Sequence, residues 1–193
     1  MDLNILDIKN YQKPEKGCLL ISEPYSSDNL FNRTIVLLTE HGDDGSVGFI
    51  LNKSIDMNVT EAVEDFPEFE SKLSIGGPVS PDSIFYIHTL GHKISDSVHI
   101  VDDYYWGGNF IEVEAMIKLG RIKNTQIRFF IGYSGWAPGQ LDDEIKKQYW
   151  LISDLVVDNF ITADVDKLWK TAVQNKGGKY AAWSNFPENP THN

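Results

Sequence analysis

Gly132-Tyr133-Ser134-Gly135-Trp136-Ala137-Pro138-Gly139-Gln140-Leu141 leaves an apolar strand pattern and runs into an acidic helix start. Three glycines, a proline and a tryptophan within ten residues specify a loop of constrained shape, because glycine opens backbone regions closed to other residues and proline fixes φ. Residues 126–131 read as the strand that enters this loop and 138–147 as the helix that leaves it. Asp142, Asp143 and Glu144 fall in the first turns of that helix, where negative charge offsets its dipole.

Working outward, the first half is rich in strand signals at 17–22, 33–40 and 47–51, the last two joined by His41-Gly42-Asp43-Asp44-Gly45, whose composition suits an antiparallel hairpin. Strand patterns return at 73–75, 83–90 and 97–101, and again at 149–155. Asn58 and Glu61 predict a capping box for a short helix stopped by Pro67, and Asn109 and Glu112 predict a second, stopped by Gly120. Val165, Leu168, Trp169, Ala172 and Val173 follow the i, i+3, i+4 spacing of an amphipathic helix ended by Gly177-Gly178. Residues 183–193 read as an extended or disordered arm, and 1–16 as a short lead. Strands and helices mixed with antiparallel hairpins predict one α+β (mixed α/β) domain over 1–193.

Composition narrows the function classes. Of the 193 residues, 41% are hydrophobic and 12% aromatic, enough for one substantial core. The net charge of −11, from 28 acidic against 17 basic residues, disfavours wrapping a polyanion. Lys and Arg are scattered, and no helix-turn-helix is recognisable, so direct nucleic-acid binding is disfavoured. The single cysteine, Cys18, lies in an apolar run and reads as a buried, inert thiol. No leader pattern opens the chain and no apolar run is long enough for a membrane span, which predicts a cytoplasmic protein without membrane attachment.

Ser134 between Gly132 and Gly135 invites comparison with a hydrolase nucleophile elbow, but Trp136 stands where that turn needs a small residue. A hydrolase using Ser134 with His88 or His99 as base stays as an alternative function. His88 and His92 have a spacing that gives two ligands on a helix, here spread over a strand and a turn, so no metal site is assigned. Asp43-Asp44 and Asp102-Asp103 read as solvated turn residues. Neither the loop at 132–140 nor Gly76-Gly77-Pro78 carries the lysine and hydroxyl of a phosphate loop, and no cofactor is called for. Tyr104-Tyr105-Trp106 before Gly107-Gly108 reads as core filling, with partner anchoring as the alternative.

Three segments, Gly48-Phe49-Ile50-Leu51-Asn52-Lys53, Gly76-Gly77-Pro78-Val79 and 132–140 with Leu141 and Glu144, together resemble the YqgE/AlgH family of small bacterial proteins. Lys53 stands where members often carry arginine, keeping the charge without the planar fork. The resemblance implies a bent or bifurcated sheet folded as a pseudo-barrel with flanking helices. It also implies the family's usual description as transcriptional regulators, without a catalytic set. The resulting expectation is a non-enzymatic regulatory or binding protein acting through an unknown protein or small-molecule partner; oligomeric state is not encoded. The candidate surface comprises Asn52, Lys53, Gly76, Gly77, Pro78, Tyr133, Ser134, Trp136, Gly139 and Gln140. Those loops either frame a pocket or form a structural junction that Trp136 plugs.

Overall fold

Ile127–Trp136 (β9) is the strand on which the whole sheet is assembled, and the computed structural model describes residues 5–26, 28–154 and 159–188 around it. The other strands are β1 (Leu19–Ser22), β2 (Ile35–Gly42), β3 (Gly45–Ile50), β4 (Ser54–Asn58), β5 (Lys72–Ile75), β6 (Val79–His88), β7 (Val98–Val101), β8 (Tyr104–Trp106) and β10 (Trp150–Ser153). Their order is β10-β1-β2-β3-β9-β6-β8-β7, with β4 paired to β5 and β5 paired to β9. All pairings are antiparallel except β5 with β9. The fold is α+β as expected, and its sheet forks and stays open.

The fork lies along one flank of β9. β6 pairs with the opposite flank from His88↔Ile127 to Val79↔Tyr133. On the forked flank β5 pairs at Ser74↔Phe130 and Ile75↔Ile131, and β3 takes over at Gly48↔Ser134 and Ser46↔Trp136. Gly76 fills the crotch: its N–H donates to Ile131 O at 2.8 Å, and its carbonyl accepts from Ile50 N at 2.9 Å. The loop expected at 132–136 is therefore strand. β6 holds Tyr133 and β3 holds Ser134 to Trp136 in the sheet, while Gly132, at φ +64°, sits where the β6 register jumps between Ile131 and Tyr133 and admits the Gly77 backbone rather than reversing the chain.

Both faces of the sheet are covered. Leu19, Ile21, Ile35 and Leu37 pack with Leu168, Trp169, Ala172 and Val173 of α4 (Val165–Lys176). The alternate residues Leu20, Val36 and Leu38 pack with Trp136, Trp150 and Leu141 of α3 (Gln140–Lys146). Burial on both faces is why β1 and β2 read as unbroken apolar runs. A further cluster places Val113 and Ile117 of α2 (Phe110–Lys118) on Leu73, Tyr86, Ile127 and Phe129. No helix among the described residues is long and apolar enough to cross a membrane.

Helix ends depart from the sequence reading in instructive ways. Asn109 caps α2 through Ile111 N and Glu112 N, but Glu112 does not close the expected box. Its carboxylate instead accepts from Ser95 N at 2.7 Å and Ser95 Oγ at 2.9 Å, two donors that tie α2 to the segment before β7. The first helix, α1 (Val59–Ala62), stops after one turn, well before Pro67, although Glu61 accepts from Asn58 N at 2.8 Å. One turn adds little to a costly nucleus, and the chain resumes extended backbone at Val63.

The expected C-terminal arm is replaced by structure over its described part. Gly177 ends α4 at φ +70°, but α5 (Gly178–Ala181) and a 3-10 turn over Ala182–Asn185 follow at once. Trp183 is fully buried, and its indole N–H donates to Ile5 O at 2.8 Å. Residues 189–193 lie outside the described residues, as does Leu155 at the end of the expected strand 149–155. The N-terminal lead is also engaged: Asn10 donates to Trp150 O and accepts from Ile152 N, covering the free edge of β10.

Candidate functional site

Gly48, Gly76, Gly77 and Gly132 bring the three conspicuous segments together, because each lacks the Cβ that would strike a neighbouring backbone. A Cβ on Gly77 would lie 2.3 Å from the Tyr133 carbonyl carbon, and one on Gly132 would lie 2.6 Å from Gly77 O. Ser134 is 1% exposed and its hydroxyl donates to Gly76 O at 3.0 Å. Asn52 brackets β2 by accepting from Ile35 N and donating to Arg33 O. Tyr133 meets Phe85 edge-on at 5.4 Å. The convergence is thus a packed junction, and a pocket opens beside it.

That pocket, ≈ 450 Å³, is lined by three of the candidate residues, Pro78, Trp136 and Gln140. Gly135, Glu23, Asp28, Phe31, Glu144, Tyr149 and Trp150 contribute to the same walls. Lys53 does not line it; its Nζ reaches Asn29 O at 3.4 Å, and burial lowers the ammonium pKa against the opposing pull of Asp28. Gly139, at φ +75°, caps the start of α3 outside the pocket. Its exposed position serves the turn into the helix.

One carboxylate oxygen organises the rings. Glu144 Oε2 accepts from Trp136 Nε1 at 2.9 Å and from Trp150 Nε1 at 2.8 Å, while Oε1 accepts from Gln140 Nε2 at 2.9 Å. Gln140 in turn accepts from Ala137 N at 3.0 Å. The two indoles meet edge-to-face at 6.0 Å, and Phe31 meets Trp150 in the same manner at 5.5 Å. Glu23 differs from Glu144: it is half-buried, makes no hydrogen bond or ion pair among the described residues, and burial raises its pKa. Asp28 adds a third carboxylate, with Oδ1 accepting from Leu30 N at 2.8 Å. The chemistry on offer is aromatic walls with acidic groups, suited to a cation.

The histidines do not serve Ser134. His88 pairs with Ile127, seven residues along β9 from Ser134, roughly 23 Å at strand rise. His99 pairs with Tyr105 of β8, further still across the sheet. The His88 ring is fully buried, with Nε2 at 3.2 Å from Gly107 O and Nδ1 accepting from Leu90 N. Tyr104 is buried against Phe160, and half-buried Tyr105 contacts His88, His92 and His99, so these rings lie in a strand and Tyr104 fills the core as the sequence reading expects. Burial also pushes the Cys18 thiol up to about 11.

Desolvation lowers the His88 pKa to about 4 from its ordinary 6.5, with the Gly107 hydrogen bond opposing. The folded state therefore binds this proton less readily than the unfolded chain. The stability it preserves is present above pH 6.5 and is lost as pH falls toward 4. Urea titrations at pH 7 and pH 5 are expected to show a His88-dependent loss of about 2 kcal/mol. A folded His88→Gln variant with the same pH slope would contradict it.

Sequence reasoning missed Glu23, Trp150 and Arg128. Arg128 carries the readable signal, a cation inside the apolar run Ile127-Arg128-Phe129-Phe130. It is 5% exposed, and burial lowers its guanidinium pKa to about 10. Glu23 is brought to the pocket by the β1 turn, a placement that only the tertiary fold specifies.

Comparison with known proteins fits this architecture. The sequence profile of the AlgH-like family, DUF179, matches residues 19–181. A UPF0301 protein of Cytophaga hutchinsonii is 41% identical over 179 residues, covering 92% of this chain and 98% of the relative. One of Bacteroides thetaiotaomicron is 38% identical over 195 residues, covering 100% and 99% respectively. The crystal structure of DIP2367 from Corynebacterium diphtheriae superposes with a TM-score of 0.76 at 20% identity, over 93% of this chain and 95% of that one. The solution structure of AlgH from Pseudomonas aeruginosa gives 0.62 at 23% identity, over 83% and 85%. The chain belongs to the AlgH-like, UPF0301 family.

Proposed function

We propose that this is a non-catalytic, cytoplasmic binding protein that recognises a positively charged group in the cleft beside the glycine junction. Any regulatory effect is then exerted through that ligand or partner, without direct DNA contact. The carrying observation is Glu23, a half-buried carboxylate with no polar partner among the described residues, in a cleft walled by Trp136, Trp150 and Phe31. Aromatic faces favour a cation, and a carboxylate shielded from water favours it further. The net charge of −11 draws cations toward the surface.

The test is calorimetric titration with arginine methyl ester and choline, using an uncharged amide as control. Binding of a cation by the native protein is expected, with Glu23→Gln weakening it by about tenfold, the size of one charge-assisted contact. Glu23 lies outside the packed junction, so its variant is expected to keep the native melting temperature. Absence of cation binding, or equal affinity in Glu23→Gln, would overturn the reading.

A further inference from the structure

Arg128 has no carboxylate partner among the described residues, although it is buried in the central strand. A buried guanidinium without an opposite charge is costly, since neutral acceptors replace only its hydrogen bonds to water. Four of its five N–H donors are accounted for. Nε and Nη2 donate to Ser74 Oγ at 3.0 and 2.8 Å, Nη2 also to Leu51 O at 2.8 Å, and Nη1 to Phe160 O at 2.9 Å. One Nη1 hydrogen is left over. Ser74, 2% exposed, accepts twice from Arg128 and has no acceptor for its own hydroxyl proton among the described residues.

Both residues line a second cleft of ≈ 510 Å³, between the start of β9 and the segment entering α4. Ile127, Ile161 and Val165 contribute apolar surface to it. We infer that this cleft binds a single carboxylate group on an apolar stem, the carboxylate meeting Arg128 Nη1 and Ser74 Oγ and the stem lying on the three aliphatic residues. A pair of buried donors, one of them on a guanidinium that faces the Phe130 ring at 5.4 Å but no carboxylate among the described residues, fits an anion. The lining also includes exposed Glu70, whose charge penalises a dianion more than a monoanion, and Asp164, which is paired with Lys167 at 2.7 Å. Lys72 does not reverse this, being paired with Asp56 at 2.8 Å. The site differs in charge and location from the acidic cleft, so its fate is independent of that proposal.

The experiment is proton–nitrogen NMR of the full chain titrated with hexanoate, its neutral isostere hexanamide, and inorganic phosphate. Hexanoate is expected to shift the Arg128 Nε–H and Ser74 amide signals saturably, with hexanamide inactive and phosphate weaker. Thr162 lines the cleft, is exposed, and has no side-chain hydrogen bond among the described residues, so its substitution leaves the core intact. Thr162→Lys is expected to tighten hexanoate binding about threefold and Thr162→Glu to weaken it about threefold, as a partly screened unit charge would. The inference is overturned by unmoved Arg128 signals, by equal shifts with hexanamide, by tighter binding of phosphate, or by Thr162 variants that do not change affinity in opposite directions.

Discussion

Gly76→Ala is expected to cost more than about 4 kcal/mol of folding stability and to leave most of the expressed chain insoluble. A Cβ at this position would stand 2.1 Å from Gly132 O and 2.8 Å from Phe49 Cδ1. Neither neighbour can yield cheaply. Gly132 belongs to β9, paired on both flanks, and Phe49 is fully buried among Phe85, Trp106 and Phe130. Gly120→Ala is the matched control: Gly120 has φ +64° but nothing within 4 Å of its would-be Cβ. It carries only the backbone penalty, about 1 kcal/mol. Urea unfolding of both variants checks the difference, and equal losses would show that crowding at the fork is not what requires glycine.

Trp183→Ala is expected to lose about 3–5 kcal/mol, the range for emptying a buried aromatic site. Trp183 has no exposed surface, packs edge-to-face on Tyr180 at 5.2 Å, and holds Ile5 O through its indole N–H. Removing it takes away the contact that joins the N-terminal lead to the C-terminal helices. Guanidinium unfolding should show a lower midpoint and little change in slope. A loss below about 1 kcal/mol would instead match the exposed arm that the local sequence suggests.

That second case shows where local sequence stops being sufficient. The prolines and small polar residues after Trp183 resemble a loose end, yet the indole is decided by Ile5, 178 residues away in the chain. Gly132 to Trp136 fail for a related reason. Two glycines within four residues suggest a loop, and only the tertiary pairing that brings Gly77 and Val79 onto this strand explains Gly132 as a point of close approach. Elements governed by neighbours in sequence were legible: the Asp43-Asp44 hairpin, the Asn109 cap and the amphipathic spacing of α4. Of the candidate site, Pro78, Trp136 and Gln140 were legible, whereas Glu23 and Trp150 reach the cleft through β1 and its neighbour β10. Glu112 illustrates the limit at a single side chain, since Ser95 offers it two donors in place of the one expected at Asn109.

The position of β9 in the chain has a consequence for synthesis. The strand that joins the two wings of the sheet occupies residues 127–136, whereas the strands it pairs with end at 50, 75 and 88. During translation the β2–β3 hairpin can form from local contacts, but the flanks of β3, β5 and β6 await a segment still inside or behind the ribosome. Contacts of such long sequence separation slow folding, and unpaired strand edges are sites of association. The nascent chain therefore passes through an interval in which two-thirds of it has emerged without its centre, and it is in that interval, more than in the finished fold, that holdase chaperones would find exposed strands to bind.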